Sequence, residues 1–596
     1  MLSSILVLAL NTAAQFEYML PEKELGLGTP RSAIYYHNPP DPVNVRTLNF
    51  FYPATHLSIP CYVSIEIKAA YNSYASDESV FGRKWTFNHN IFVREAVTQI
   101  EVVEGDGFVN AYTRERNLED STKSLVQSIL VNLKKDDAIN KKLKPDTEYK
   151  EIEKRLLSDK IYRQQMARNV VKSARPLGPG EYFSLARGQS SLIKNADGTY
   201  ERKFQNGSKE FFNKSGKLTK SQDRNNNFIS YMYVEGNLNK ISDMCGRSVD
   251  FTYYSTPAAR GLVRTIADSL GRTLTYTYDG NKQLISYITP EKAVAEFRYD
   301  SKGNLVEVKN SAEPDENFTV SFNESLEVKS QVGPEKSRTE YRRTFVANDP
   351  NNSITELQKF NGAESAGREV HEFKLGEYET VTKYDKAGKE TSKITKKFSK
   401  QTGYPISILN GRAEGDLFEY DSNTGNLLSR ENIPSKEKLS FSYEPRCNQV
   451  ANVKVTKPGA VEKETAYKFD DKCNVIEAVE TQNKQKTGWV TVLHTPQGKP
   501  KFLIDKQGNQ QIAFTYWQYG KPESITLKDV GTLLVTYKAN GEIEDNGVKT
   551  KPHGKGAQTF KGQDSSTYQA AILRQVRGSL DTILALLRPA GLNIGL

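Results

Sequence analysis

The sequence predicts a mainly β protein, with short hairpins wound into one large twisted, shell-like or barrel-like sheet, a helical insertion and a C-terminal helix. Three observations carry this prediction. The chain holds 31 Tyr and 26 Phe against 5 Met, a balance that suits pleated, half-buried surfaces better than helix bundles. An aromatic in front of a polar turn recurs at Tyr233, Tyr253, Tyr278, Tyr299, Phe322, Phe345, Tyr384, Phe398, Tyr420, Tyr443, Phe469, Tyr516 and Tyr537, with His494 standing in once; all but two intervals lie between 20 and 26 residues. A period of that length marks stacked supersecondary units. Two segments, at 115–175 and in the tail, break the strand alternation and carry helical spacing instead.

Taken in chain order, the first element is "MLSSILVLALNTAAQ". Its apolar run from Leu2 to Leu10 is too short to span a bilayer and is followed by Thr12, Ala13 and Ala14, the context of a cleavable signal peptide over 1–14. No Lys or Arg precedes the run, so a buried strand is the alternative reading. Residues 15–114 precede the insertion. In 115–175, Leu125, Ile129 and Leu133 share one helical face, Ile152 and Leu156 another, and Pro145 separates them. This predicts two or three inserted helices, either a functional insertion or a cap over an exposed sheet edge.

The repeats fill 176–546. In "LTYTYDGNKQLISYITPEKAVAEFRYDSKGNLVEV", residues 274–308, alternation puts Phe297 and Tyr299 on one face, and Asp279-Gly280-Asn281 and Gly303-Asn304 supply turn residues. One such hairpin cannot bury its aromatic face, whereas a dozen stacked edge to edge make a continuous wall. About 350 repeat residues leave open whether that wall closes. The remaining 547–596 read as a linker and an amphipathic helix. Asp564, Ser565 and Ser566 are N-cap types, Ile572, Val576, Leu580, Ile583 and Leu587 share a face, and Pro589 ends the run. That face is expected on or inside the shell, with self-association or a separate partner as alternatives.

The repeat unit [FY]-x-Y-D-x-x-G-N-L, with "DSLGRTLTYTYDGNKQL" and "DMCGRSVDFTYY" leading into the next strand, resembles the RHS/YD-repeat proteins. Upstream, "VNVRTLNFFYPATHLSIPCYVSIEIKAAYNSYASDESVFGRKWTFNHNIFVRE" looks like that family's lead-in module, and "DGTYERKFQNGSKEFFNKSGKLTKSQDRNNNFISYMY" like its first repeats. The resemblance spans roughly 40–110 and 180–545. It implies a bacterial secreted or surface protein with a hollow β-sheet shell. Many members enclose a C-terminal toxin, freed by self-cleavage in a core motif containing Asp-Pro just after the last repeat. Here Asp-Pro occurs only at Asp41-Pro42 and Asp349-Pro350, far from that position, so self-release of a toxin is not expected.

Composition and motifs bound the function. Net charge is +10, but the lysines are dispersed, and neither zinc-finger spacing nor an RNA-binding aromatic motif is present, so nucleic acid is not the expected partner. The six His lack His-x-x-x-His or His-Glu-x-x-His spacing, and the sequence has no phosphate-binding loop and no Gly-x-Ser-x-Gly elbow. An Asp in nearly every hairpin is the mark of a turn residue, since a catalytic carboxylate pair is needed once. No enzyme, cofactor or metal site is expected.

Cys447 in "YEPRCNQV" and Cys473 in "FDDKCNVI" occupy one position in consecutive repeats, where neighbouring hairpins bring them close. This predicts a Cys447–Cys473 disulfide, with two buried thiols as the alternative. Cys61 and Cys245 can pair only if the N-terminal module lies against the early repeats. Trp85 is assigned to the core, and Trp489 and Trp517 are candidates for stacking on sugar rings. The expected role is a secreted, periplasmic or cell-surface scaffold, peripheral to a membrane at most. Its expected partner is cell-surface polysaccharide, a protein or a cargo. The alternative is the shell of a toxin-delivery system whose effector is a separate chain.

Overall fold

A computed structural model describes residues 42–592, apart from 76–77, 97–98, 106, 117, 171–176, 187–188, 313, 315–316, 335–336, 350, 400–402, 412–413, 461, 553–564 and 591. The expected signal peptide and Asp564 lie outside the described residues. From Gly180 to Pro552 the chain forms one sheet of 33 strands, each antiparallel to the next in sequence. The last strand, Ile543–Pro552, extends past the 546 boundary read from the sequence. Along Thr273–Tyr278, Leu274 and Tyr276 are buried while Thr273, Thr275 and Thr277 are exposed, so period-two alternation decides which face turns inward.

The recurrent aromatic has a geometric role that its spacing alone does not disclose. At every position of the series except Phe345, the strand register shifts at the aromatic, as in a β-bulge. A bulge re-aims a side chain, and the tyrosine hydroxyls donate backward to the preceding repeat. Tyr253 reaches the Leu238 carbonyl at 2.6 Å, Tyr299 that of Leu284 at 2.7 Å, Tyr443 that of Leu427 at 2.9 Å, Tyr516 that of Pro500 at 2.6 Å and Tyr537 that of Pro522 at 2.7 Å. These five repeats are thereby tied to their predecessors, whereas the hydroxyls of Tyr278 and Tyr420 are buried without a partner among the described residues. The slip in the repeat interval has a topological cause: Tyr384 ends the strand Tyr378–Tyr384 and so lies on the opposite rim, while Phe373, near the end of the long strand Glu364–Lys374, holds the position between Phe345 and Phe398. Tyr299→Phe also removes the acceptor for Trp85 Nε1 at 2.9 Å, and is expected to cost about 2 kcal/mol, measured by denaturant unfolding.

The paired Asp closes its own turn. Asp279 Oδ1 accepts from the amides of Asn281 and Gln283 at 2.9 and 2.8 Å, and Asp300 and Asp470 do the same for the residues two and four beyond them. Gly303 at φ +81° supplies the left-handed residue of one such turn.

Turns alternate between two rims of the wall, and the wall winds far enough for its rims to meet. Hydrogen bonds join residues 219 to 292 apart in sequence, from Tyr404–Leu185 to Arg247–Ala539. The sheet therefore makes more than one circuit and closes by stacking its second circuit on its first.

Strands of the N-terminal module, including Asn49–Ile59, Ile65–Asn72 and Trp85–Phe87, pack against the first circuit. Phe87 meets Phe251, Trp85 meets Phe297, and Tyr52 meets Phe297 and Phe318 edge-on. Trp85 is 1% exposed and belongs to the core, as expected. The module also bonds the Tyr-Asp rim directly, Arg83 N to Lys282 O at 3.1 Å, Val328 N to Leu48 O at 2.8 Å and Val93 N to Gly216 O at 2.8 Å. At Gly216 the approach is so close that a Cβ would collide with the Val93 carbonyl. Thr113 pairs with Phe183 on the sheet's first strand, so the module supplies cover at that edge.

The insertion forms three helices, α1 (Leu118–Ile139), α2 (Asp146–Ser158) and α3 (Lys160–Val170). Val126, Ile129, Leu130 and Leu156 make a small core of their own, with Leu125 and Ile152 against it. The C-terminal helix α4 (Ser565–Leu587) lays Ile572, Val576, Leu580, Ile583 and Leu587 into a second core with Val490, Val492, Leu503, Ile525 and Val535 of the second circuit. The face read from the sequence is the buried one. Gly488 and Gly531 let it approach: a Cβ there would press on Leu586 and Ile572.

Candidate functional site

Two places on the wall gather the residues singled out by sequence, a seam between circuits and a patch around Trp489. At the seam, turns of the first circuit's opposite rim meet Tyr-Asp turns of the second. Gln205 Nε2 donates to Asn426 Oδ1 at 2.8 Å, Asn448 Nδ2 to Gln189 Oε1 at 2.8 Å, and Asn225 and Asn474 exchange amide bonds at 3.1 and 2.8 Å. Arg224 donates to the Cys473 carbonyl at 2.9 Å, and the Arg247 guanidinium lies 3.6 Å from the Tyr519 ring centre. Asn426 and Asn474 are the Asn of the repeat's Gly-Asn position. Sequence reading assigned that residue to its turn, and its second role was missed because the partners lie more than 200 residues away. In the first circuit the equivalent Asn304 takes Lys84 Nζ of the N-terminal module at 2.7 Å.

Both disulfides sit on this seam. Cys447–Cys473 links the turns of consecutive repeats, as the spacing predicts, with Cα atoms 5.5 Å apart. Cys61–Cys245 fastens the module to the first circuit, with Cα atoms 6.1 Å apart. Around it Arg272 donates to the Ser58 carbonyl at 3.0 Å, and Pro60 and Tyr62 press on Gly541 and Gly520 of the second circuit. Cys61, Asp243 and Cys245 bring possible metal-ligand atoms within 4.8 Å of one another, but the two sulfurs are bonded to each other.

Trp517 belongs to the seam's aromatic packing. Its ring stacks on Tyr537 at 5.3 Å and meets Tyr519 edge-on at 4.6 Å. Trp489 is different. It faces away from the core that holds its neighbour Val490, and it is half-buried. Its ring centre lies 4.0 Å from Lys486 Nζ and 4.8 Å from Lys506 Nζ, and its Nε1 donates to Glu477 Oε1 at 2.8 Å. Glu477 is held below the usual carboxylate range, first by its hydrogen bond from Lys468. The result is an indole fixed on the wall's outer face under two ammonium groups.

A buried charge cluster escaped the sequence reading. Arg202 contacts Glu104 at 2.5 Å and Glu210 at 3.2 Å, and donates through Nε to the Tyr112 hydroxyl at 2.6 Å. Burial opposes the Arg202 charge, but Glu104 and its neighbours outweigh that and hold the guanidinium well above its ordinary value; burial raises Tyr112 to about 12. The available signal was parity: in Tyr200–Phe204, Arg202 shares the inward face with Tyr200. The cluster joins module and first circuit.

Two module histidines do the same as neutral rings. His56 Nδ1 bonds the Tyr276 hydroxyl at 2.8 Å, and His89 bonds the Tyr231 hydroxyl at 3.0 Å and the Glu66 carbonyl at 2.8 Å. Burial lowers them from 6.5 to about 3 and about 4. Folded values below the unfolded ones mean that the unfolded chain takes up protons first as pH falls. Stability is therefore expected to decline from pH 6.5 downward and level off below about 4 for His89 and about 3 for His56, with losses on the order of 3 kcal/mol for His89 and 5 kcal/mol for His56. His89→Gln should flatten its share of that slope in denaturant titrations run across pH.

Comparison with known proteins adds little beyond the N-terminal module. Residues 40–112 match the family described as a domain of unknown function, DUF6531. No curated protein matches the chain. Among solved structures, one of TcdB2-TccC3 aligns at 9% identity and a TM-score of 0.34 over 84% of this chain and 30% of that chain. The Tc holotoxin pore of Photorhabdus luminescens aligns at 12% identity and a TM-score of 0.31 over 65% of this chain and 25% of that chain. The chain thus spans a quarter to a third of their length, and at these scores the alignments carry no argument. Among the described residues, no helix is long and apolar enough to cross a membrane.

Proposed function

We propose that the chain is an exported, non-enzymatic shell scaffold of the RHS/YD-repeat type, working at a bacterial cell surface or exterior. Its proposed ligand is an acidic polysaccharide, bound by the patch around Trp489. The observation that carries this reading is the outward indole beneath Lys486 and Lys506. On binding, the lysines that lie over the indole would swing to uronate or sulfate on the polymer, and a sugar ring would take their place on the indole face. Two disulfides suit an oxidising compartment. The chain's own module covers inward residues of the first circuit and helix α4 covers those of the second, which favours recognition over carriage.

The reading is tested by titrating the protein with polygalacturonate and with neutral dextran. Binding is expected for the acidic polymer alone, weakening with salt, and Trp489→Ala should reduce affinity about tenfold or more, since loss of a stacking platform costs ~1–3 kcal/mol. Equal binding of both polymers, or an unchanged Trp489→Ala protein, would overturn it.

A further inference from the structure

The helical insertion carries a second surface, of different chemistry. Helix α1 has 22 residues, so it extends about 33 Å. Its base is fixed to the wall, where Arg116 stacks on Phe183 at 4.0 Å and Thr113 pairs with Phe183. From there its far end and the turn to α2 form a tip. At that tip Ile139 is 69% exposed and Leu143 is 67% exposed. Around them stand Lys134, Lys135, Lys141, Lys142 and Lys144.

Asp136, Asp137, Asp146 and Glu148 leave these five lysines one net positive charge, but the two signs are not evenly placed. Asp137 is turned inward, accepting from the Tyr149 hydroxyl at 2.8 Å and pairing with Lys144 at 3.5 Å; Lys134 lies over the Tyr149 ring at 4.9 Å and reaches Asp146 at 3.9 Å. Lys135, Lys141 and Lys142 form no ion pair among the described residues and are exposed. The turn itself is held in place, with Lys141 at φ +54° and the Lys142 amide donating to the Asp137 carbonyl at 2.7 Å.

We infer that this tip is an interfacial anchor for an anionic lipid surface. Two protruding aliphatic side chains are too small a patch for a stable protein interface, which buries on the order of 1,000 Å² or more. They suit the acyl boundary of a bilayer, while lysines whose stems lie along apolar surface keep their ammonium groups among the headgroups. Lysines clustered at the same end favour anionic over zwitterionic lipid. The proposed site is independent of the Trp489 patch and does not require it.

The experiment is sedimentation of the full chain with vesicles of phosphatidylcholine alone and of equal parts phosphatidylcholine and phosphatidylglycerol. Binding is expected only to the second and should fall with added salt. Ile139→Ser/Leu143→Ser and Lys141→Glu/Lys142→Glu, all at exposed positions, should each lower partition about tenfold or more. An environment-sensitive dye on Asn140→Cys should shift to the blue on anionic vesicles. No binding of the native chain, equal binding to both vesicles, or a dye that stays in water while the protein sediments would each overturn the inference. Tip-dependent retention of a protein partner without vesicle binding would overturn it as well.

Discussion

Replacing Cys61 and Cys245 together by alanine is expected to cost about 5 kcal/mol of stability, and to loosen the N-terminal module before the repeats unfold. The bridge closes a sequence separation of 184 residues, and on the chain-entropy account the loss grows with the logarithm of that length. Cys447 and Cys473 are only 26 residues apart, so their double replacement should cost less, about 3–4 kcal/mol. Denaturant unfolding, with hydrogen exchange reporting on strands Ile65–Asn72 and Lys463–Phe469 separately, measures both. Equal losses, or a larger loss at Cys447–Cys473, would mean that loop closure does not set the contribution.

The second large effect lies at the other end of the chain. Leu580 is 3% exposed and sits in the middle of the helix face that covers the second circuit. Leu580→Asp is expected to cost about 4 kcal/mol or more, because an unpaired carboxylate would have to be buried or the helix released. Leu580→Ala, which leaves only a cavity, should cost about 2–5 kcal/mol. Amide protection over Ile572–Leu587 should vanish in the Asp variant and persist, weakened, in the Ala variant. Retained protection in both would mean that α4 is not held by this face.

These effects also show which parts of the molecule were readable in the sequence. Alternation and turn residues repeat at short range, so hairpins, their inward faces and the Cys447–Cys473 pair follow from neighbours a few dozen residues apart. The buried face of α4 was readable for the same reason: Ile572, Val576, Leu580, Ile583 and Leu587 show helical spacing without reference to a partner. Whether the wall closes was not readable, because closure depends on accumulated twist and on partners such as Asn225 and Asn474, 249 residues apart. Cys61–Cys245 shares that difficulty. The edge cover was assigned only in outline: the sequence offered the helical insertion as a cap, whereas backbone pairing at the first strand comes from Thr113. Of the two candidate tryptophans, parity in Gln485–His494 distinguishes outward Trp489 from inward Val490, but Trp517 lies in a turn, where parity says nothing.

The second circuit stacks on the first along a seam of repeat turns. Asn225→Cys/Asn474→Cys, made in one chain and treated with a short bis-maleimide, tests it most directly. Efficient cross-linking within the monomer is expected, matching a control pair on adjacent strands. Cross-linking of that control pair but not of positions 225 and 474 would mean that the sheet does not close on itself.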